Sequence, residues 1–344
     1  AADESKVRAA TEVLQAARGR SRRVAAALHS LEQIVEAYIK IAALKVKPAG
    51  KVFTVPSMPK SVRYLDSLPN FPILTRPSAI DESCKYSGPR FPHFIRFLSE
   101  IKLVGGINHP KLVTVVDDQG EEHPQLVKSG NDDLRQDAVM QQLFGHVNHL
   151  LGRETSTRAR QLHIRTYSVV PLTPFVGVVE WVKDTTPLMI YLVGDSKTPG
   201  AHKRFRPQDI SYNKALNLVW SRQNPAMIGK YPEDEGNMFE KVCREFKPCM
   251  HYFFLEHFTR ASEWFQRRLA YTRSVAANSM VGHVVGLGDR HASNILIDKR
   301  SAEVVHIDLG VAFEQGRILK VPEVVPFRLT RDVVDGMGVA GVEG

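Results

Sequence analysis

The segment that most constrains this chain lies between Asn294 and Asp308. Asn294-Ile295-Leu296-Ile297-Asp298 and Glu303-Val304-Val305-His306-Ile307 are aliphatic runs separated by the polar stretch Lys299-Arg300-Ser301. Runs rich in β-branched residues on either side of a short polar turn predict an antiparallel hairpin. A hairpin returns the chain to its starting end, so Asn294 and Asp308 are expected side by side. Directly ahead stands Gly286-Leu287-Gly288-Asp289-Arg290-His291-Ala292-Ser293-Asn294, and directly after comes Asp308-Leu309-Gly310.

An Asp, an Asn five positions later and an Asp-x-Gly beyond a hairpin form the order of groups that phosphoryl transfer uses. An alcohol attacking the γ-phosphate of ATP needs a carboxylate to orient it and accept its proton. Asp289 suits that role. Mg²⁺ (or Mn²⁺) takes hard oxygen ligands, and the amide of Asn294 with the carboxylate of Asp308 is a natural pair for it. The bland reading is a surface turn whose Asp, His and Asn cap backbone groups. The hairpin and Asp308-Leu309-Gly310, following in order, favour the chemical one.

The rest of the chain supplies a frame for that pattern. Its 344 residues can bury a sizeable core, and 43% hydrophobic with 24% charged residues fits a globular protein. The net charge of +9 suits an anionic partner, be it ATP, nucleic acid or acidic lipid. Cys84, Cys243 and Cys249 make no Cys-x-x-Cys pair and no zinc pattern, which fits a reducing setting. No apolar run reaches the length of a membrane span. The chain starts without a methionine and stops inside the glycine-rich stretch 336–344, as a piece of a longer protein would.

Four segments are expected. Residues 1–45 carry a helical stripe of Val24, Ala27, Leu28, Leu31, Ile34, Val35, Tyr38, Ile41 and Ala42. Arg18, Arg20, Arg22 and Arg23 within it form either a nucleic-acid or nuclear-localisation patch or a solvated helix junction. Residues 46–92 are proline-rich, excluding long helices and central strands, with a mobile loop expected at 75–90. Residues 93–182 carry strand-like runs at 94–104, 111–116, 125–128, 162–170 and 176–182, with a turn at 117–120 and a helix through Met140, Leu143, Val147 and Leu150. Gly105 and Gly106 lie between the first two strands, where a phosphate-covering loop or any ordinary hairpin would place them. Lys128 ends the third strand, ahead of the acidic helix start Asp132-Asp133-Leu134-Arg135-Gln136-Asp137, and can reach a phosphate. Residues 177–182 would be a hinge whose backbone meets an adenine edge. Residues 183–344 are mostly helical before the hairpin, with Phe253, Phe254, Trp264 and Phe265 among their core aromatics, and His251, His257 and His283 as structural histidines.

Gly286-Leu287-Gly288-Asp289-Arg290-His291 and Asp133-Leu134-Arg135-Gln136-Asp137 resemble the signatures of the phosphatidylinositol-3-kinase-related kinases and their lipid-kinase cousins, in which Asp-Arg-His replaces the His-Arg-Asp of ordinary protein kinases. The resemblance covers residues 100–344 well and 1–95 poorly. It implies an α+β, bilobal kinase fold with a β-rich N-lobe and a helical C-lobe, preceded by the end of a FAT-like helical-repeat region. A C-lobe continuing past Gly344 is also implied. His291 would help stabilise the transferring phosphoryl group, Asp137 would meet the lysine and phosphates, and the backbone of Glu180 and Val182 with the ring of Trp181 would hold adenine. Ser129-Gly130-Asn131 lengthens the approach to the acidic residues and leaves the carboxylate partner of Lys128 open. The activation loop would include Gly310, Glu314, Arg317, Lys320 and Phe327. Its mixed charge suits a peptide better than a polyanionic head group.

The resemblance further implies an ATP- and Mg²⁺-dependent protein kinase acting on Ser or Thr followed by Gln. A homodimer, a nuclear location and activation by a DNA-break sensor complex complete that expectation, with no membrane partner. A phosphoinositide kinase and a non-catalytic scaffold are the other readings.

Overall fold

The computed structural model describes residues 2–20, 22–49, 52–63, 65, 71–76, 92–105, 108–130, 134–223, 238–313, 315–319, 323, 325 and 327–343. Two compact units divide the chain, the first comprising Ala1–Gln142 with Tyr167–Val182, the second Leu143–Thr166 with Lys183–Gly344.

The first unit opens with helices α1 (Ala2–Arg20) and α2 (Arg22–Ala42), followed by a small ladder of β1 (Lys47–Ala49) and β2 (Val52–Thr54) and the one-turn helix α3 (Lys60–Arg63). Its main sheet is antiparallel and is built from β3 (Phe94–Phe97), β4 (Lys102–Leu103), β5 (Lys111–Asp117) and β6 (Glu122–Ser129), then, beyond α4 (Leu134–Arg153), β7 (Val169–Thr173) and β8 (Val176–Glu180). The order is β3-β5-β6-β8-β7, with β4 also on β5. The α2 stripe is what covers this sheet. Ile34, Tyr38 and Ile41, spaced to share a helix face, pack with Phe94, Phe97, Val113, Val115, Val127 and Val178. Burying each such side chain contributes about 1.5–3 kcal/mol. Leu31, expected on the stripe, is 40% exposed.

Polar groups fix how α2 lies on the sheet. Tyr38 donates its hydroxyl to the Gln125 side chain, and Gln125 Nε2 donates to Thr75 Oγ1 at 2.8 Å. Thr75 is therefore buried, a correction to the mobile loop expected from 75 onward, whose residues 77–90 lie outside the described ones. Lys111 Nζ donates to the Ala42 carbonyl at 2.8 Å and closes the C-terminal end of α2. Arg18 pairs with Glu32 across α1 and α2, as a helix junction would have it.

Two expected strands are corrected. The run at 94–104 is broken into β3 and β4, since Ser99 turns its carbonyl to the Met58 amide instead of to the sheet. The run at 162–170 is strand only from Val169. Asn148 takes both the amide and the carbonyl of Ile164 at 2.7 Å, and Gln141 takes the amide of Tyr167, so side chains satisfy this backbone where a ladder was predicted.

The second unit contains α5 (Thr155–Ala159), β9 (Thr185–Pro187), α6 (Leu188–Leu192), α7 (Ala201–Phe205), α8 (Tyr212–Gln223), α9 (Met238–Glu245), α10 (His251–His257), α11 (Ala261–Val284), β10 (Ile295–Asp298), β11 (Val304–His306) and α12 (Arg331–Met337). The predicted hairpin is β10–β11, with Ile295 opposite His306 and Ile297 opposite Val304. β9 adds a third strand through Ile297 and Thr186. Asp298 Oδ1 accepts the amides of Arg300 and Ser301 at 2.7 and 2.8 Å, which shapes the predicted turn. Beneath the hairpin lies an aromatic core of Tyr191, Phe253, Phe254, Phe258 and Tyr271 with Ile295, Ile297 and Val304.

The turn end of the hairpin carries an ion cluster. Arg165 Nη1 meets Asp298 Oδ2 at 2.5 Å, and His163 Nε2 meets Glu303 Oε1 at 2.7 Å. The bond to Glu303 holds His163 above its ordinary 6.5, while Glu303, which burial alone would raise, is kept below 4.5 by bonds from His163 and Ser301. The His163 contribution is thus complete below pH 6.5 and is lost as pH rises through the raised value. That of Glu303 is present above pH 4.5 and is lost as pH falls through the lowered one. Denaturant titrations should show stability declining as pH rises above 6.5, and His163→Gln should flatten that decline. In the first unit, Tyr38→Phe removes the hydroxyl given to Gln125 Oε1 and should cost about 1–3 kcal/mol in the same assay.

Candidate active site

α11 ends at Val284, and the next residues form a loop whose backbone is bonded to a later segment. Gly288 donates its amide to the Val311 carbonyl at 2.9 Å, and Phe313 donates to the Val285 carbonyl at 2.9 Å, so two segments remote in sequence run side by side. Arg290 is buried between them. Its Nε donates to the Gly288 carbonyl at 2.7 Å, its Nη1 to the Ile307 carbonyl at 2.8 Å and its Nη2 to the Asp308 carbonyl at 2.5 Å. One guanidinium, with donors in a fixed fork, thereby sets the spacing of the two acidic positions.

Asp289 and Asp308 both have left-handed backbones, with φ of 57° and 61°. Asn294 lies just before β10 and is buried; its Nδ2 donates to the Asp289 carbonyl at 3.1 Å and to the Asp289 carboxylate at 3.3 Å. Both amide protons are thus directed at Asp289, and Oδ1 is the atom that remains as an acceptor or ligand. The Asn294 carbonyl accepts the Ile307 amide at 3.0 Å, placing Asp308, itself exposed, one residue beyond that cross-strand bond. An amide oxygen and a carboxylate at one end of a hairpin form a hard-oxygen donor set that fits Mg²⁺ or Mn²⁺.

His291 is 51% exposed, and its Nε2 stands 3.9 Å from Asp289 Oδ2. The Ser293 amide donates to its Nδ1 at 3.2 Å, so the neutral ring carries its proton on Nε2. His306, behind this surface, is pushed down to about 3 by burial of its ring and by Arg290, which leaves it neutral. Gly310 is exposed, Arg317 lies on a 3-10 turn at Gln315–Ile318, and Phe327 is half-buried. Glu314 and Lys320 lie outside the described residues.

In the first unit Lys128 is half-buried on β6, opposite Gly177 of β8. Gly177 permits the start of α4 to come close: a Cβ there would lie 2.6 Å from Leu134 Cδ1. Asp137, in the first turn of α4, is buried. Asp132 and Asp133 lie outside the described residues, as does Gly106; Gly105 is exposed. At the end of β8 the Glu180 amide donates to the Ser168 carbonyl at 2.8 Å, and the Glu180 carboxylate accepts the Ser168 amide at 2.9 Å. The Trp181 amide donates to the Pro124 carbonyl at 3.2 Å, leaving the ring 37% exposed, unlike a core tryptophan. Val182 follows, half-buried.

Residues 125–344 match the phosphatidylinositol 3- and 4-kinase family. The chain belongs to that family. It is 49% identical over 317 residues to the serine/threonine-protein kinase ATM of Arabidopsis thaliana, a match covering 92% of the chain and 8% of that relative's length. Among solved structures, the FAT and kinase domain of CtTel1 matches with a TM-score of 0.81 and 38% identity, over 98% of this chain and 23% of that one. The complete CtTel1 dimer with C2 symmetry matches at 0.80 and 38%, over 96% and 12%. The expected α+β kinase fold is therefore that of the phosphatidylinositol 3- and 4-kinase family.

Two residues of this family member carry more of the site than their letters announced. Arg290 sits inside the Asp-Arg-His signature, yet nothing in its spacing shows that it gathers three carbonyls. Glu323 is not among the activation-loop residues singled out from the sequence, and its carboxylate accepts the Asp289 amide at 2.8 Å. No periodicity or short motif links residues so far apart.

Replacing Arg290 by Lys substitutes a point charge for the fork. Arg290→Lys should lower unfolding free energy by about 2–4 kcal/mol, measured by denaturant titration, while secondary structure by circular dichroism is retained.

Proposed function

We propose that this chain is the catalytic part of an ATP- and Mg²⁺- or Mn²⁺-dependent protein kinase that phosphorylates Ser or Thr followed by Gln. The observation that carries the reading is the grip of Asn294 on Asp289, which holds a carboxylate beside the oxygen pair of Asn294 and Asp308. In this reading Asp289 orients the substrate hydroxyl and takes its proton, and His291 presents its Nε2 proton to the transferring phosphoryl group. Asn294 Oδ1 and the Asp308 carboxylate would hold the metal, which when bound neutralises charge on the phosphates. In the first unit, Lys128 would neutralise phosphate charge, Gly105 and Gly106 would approach the phosphates, and Asp137 would orient the lysine. The backbone of Glu180 and Val182 and the ring of Trp181 would hold adenine. The tethering of Ser168 and Pro124 to this segment keeps its backbone extended, which supports that role.

Residues 1–45 are read as the end of a FAT-like helical region, 46–92 as a linker, 93–182 as the N-lobe and 183–344 as C-lobe. The protein is proposed to work in the nucleus, in signalling and repair of DNA double-strand breaks, as a homodimer engaged by a break-sensing complex. Similarity to a symmetric CtTel1 dimer supports the homodimer. No helix among the described residues is long and apolar enough to cross a membrane.

The test offers the full-length protein ATP and Mg²⁺ with a Ser-Gln peptide, its Ser-Ala counterpart or phosphoinositide vesicles. The Ser-Gln peptide should be labelled preferentially, with a loss of at least about 10²-fold in kcat for Asp289→Asn and for Asp308→Ala. Labelling of vesicles alone would replace the reading with a lipid kinase. Absence of transfer together with retained ATP binding would replace it with a scaffold.

A further inference from the structure

The catalytic loop is braced from an unexpected direction. The Asp289 peptide is held on its carbonyl side by Asn294 Nδ2, and on its amide side by Glu323 Oε2 at 2.8 Å. Glu323 belongs to the segment after Asp308-Leu309-Gly310, and its own amide donates to the Gly316 carbonyl at 3.1 Å. Its side chain thus reaches the loop from a residue whose own amide is tied to Gly316.

The space around that carboxylate is cut to its shape. A Cβ on Gly288 would lie 2.7 Å from Glu323 Oε2, and a Cβ on Gly316 would lie 2.6 Å from the same atom. The Cβ on Gly288 would also come within 3.0 Å of Gly316 Cα. Two glycines from different segments therefore face each other, and the carboxylate oxygen fills the gap that their missing side chains leave. Either alanine would displace it. Meanwhile Asp289 has a φ of 57°, a conformation that costs a non-glycine residue about 1 kcal/mol and persists where neighbours over-determine it. A hydrogen bond from a backbone amide to a carboxylate is of the charge-assisted kind, about twice as strong as a neutral one.

We propose that Glu323 is a positioning residue for phosphoryl transfer: its carboxylate, seated between Gly288 and Gly316, fixes the Asp289 peptide so that the Asp289 side chain keeps its working direction. This rests on the assignment of Asp289 under the proposed function. It gives the segment after Asp308 a second task besides receiving substrate. When Glu323 is seated, its carboxylate ties the Asp289 amide to the residue that also bonds Gly316; when it is withdrawn, that amide loses this partner while the bonds from Asn294 and Arg290 to the loop remain. Displacing the reacting carboxylate by about 1 Å is enough to cost about 10²-fold in rate.

The experiment uses the full-length protein with Glu323→Ala, Glu323→Gln and Gly316→Ala. Glu323→Ala should lower kcat about 10–100-fold and leave the KM for ATP within about twofold, because the adenine contacts and Lys128 are assigned to other segments. Glu323→Gln, which keeps an acceptor oxygen on the same stem, should recover much of the rate. Gly316→Ala should reproduce the defect with Glu323 intact. Backbone hydrogen exchange adds a readout independent of activity: the Asp289 amide should exchange faster in Glu323→Ala and Gly316→Ala than in the parent. Unchanged kcat together with unchanged exchange in both would overturn the proposal, as would a rise in KM for ATP with kcat preserved. If Glu323→Ala fails to fold, the Gln variant and Gly316→Ala still decide between the outcomes. Should the parent transfer no phosphate, the proposed function fails, and exchange at Asp289 still reports whether Glu323 holds that peptide.

Discussion

The Arg290 guanidinium is the interaction on which the second unit's site depends. A buried cation is costly unless its donors are satisfied, and here three backbone carbonyls, of Gly288, Ile307 and Asp308, meet them. The same bonds set the distance between the loop that carries Asp289 and the strand end that carries Asp308. A lysine would satisfy the charge with a single moving point; the fork satisfies it with directions. The hairpin supplies the second coordinate, because Asn294 and Ile307 are bonded across its open end while Asp298 closes the other. Between them, a frame of hydrogen bonds to backbone carbonyls holds Asp289 and Asp308 in place without asking those acids to bind each other.

A comparable economy operates in the first unit. Gln125 sits at the middle of a chain of contacts: it receives the Tyr38 hydroxyl from α2, donates to Thr75, and lies opposite Glu180 in the β6–β8 register. The N-terminal helix is therefore linked, through one buried amide, to the strand that leads into the proposed hinge. A helix attached by apolar packing alone could slide along the sheet, since such packing is non-directional. The Tyr38 hydroxyl and the Lys111 cap on Ala42 remove that freedom at two heights along α2.

How much of this could be read from letters depends on the range of each interaction. The β10–β11 hairpin was legible because aliphatic runs and turn chemistry are local, and α2 because Ile34, Tyr38 and Ile41 share a helical period. The third strand β9 was missed, since Thr185-Thr186-Pro187 is too short to show a period and becomes a strand only by lying against Ile297. The run from 162 was misread for a related reason: strand-like residues announce a liking for extended backbone, whereas the partner that satisfies it, Asn148, declares nothing in sequence. At the site, residue types and order pointed to Asp289, Asn294 and Asp308, while the groups that aim them, Arg290 and Glu323, were visible only once the backbone was in place.

The left-handed positions show why the aiming groups are needed. Asp289, Asp308 and Phe313 all have positive φ, and glycine would occupy such positions with less strain. Glycine, however, could not carry the carboxylates that the chemistry asks for at the first two. The loop accordingly places glycines where backbones or the Glu323 oxygen come too close for a Cβ, at 288 and 316, and accepts strain where a side chain must act. That arrangement is stable only if neighbours engage the strained peptides. Asp289 has Glu323 on its amide and Asn294 on its carbonyl, and Asp308 gives its carbonyl to Arg290. Strain at a reacting residue and a dense ring of backbone hydrogen bonds around it are thus two aspects of one requirement: the side chain must point where the peptide alone would not hold it.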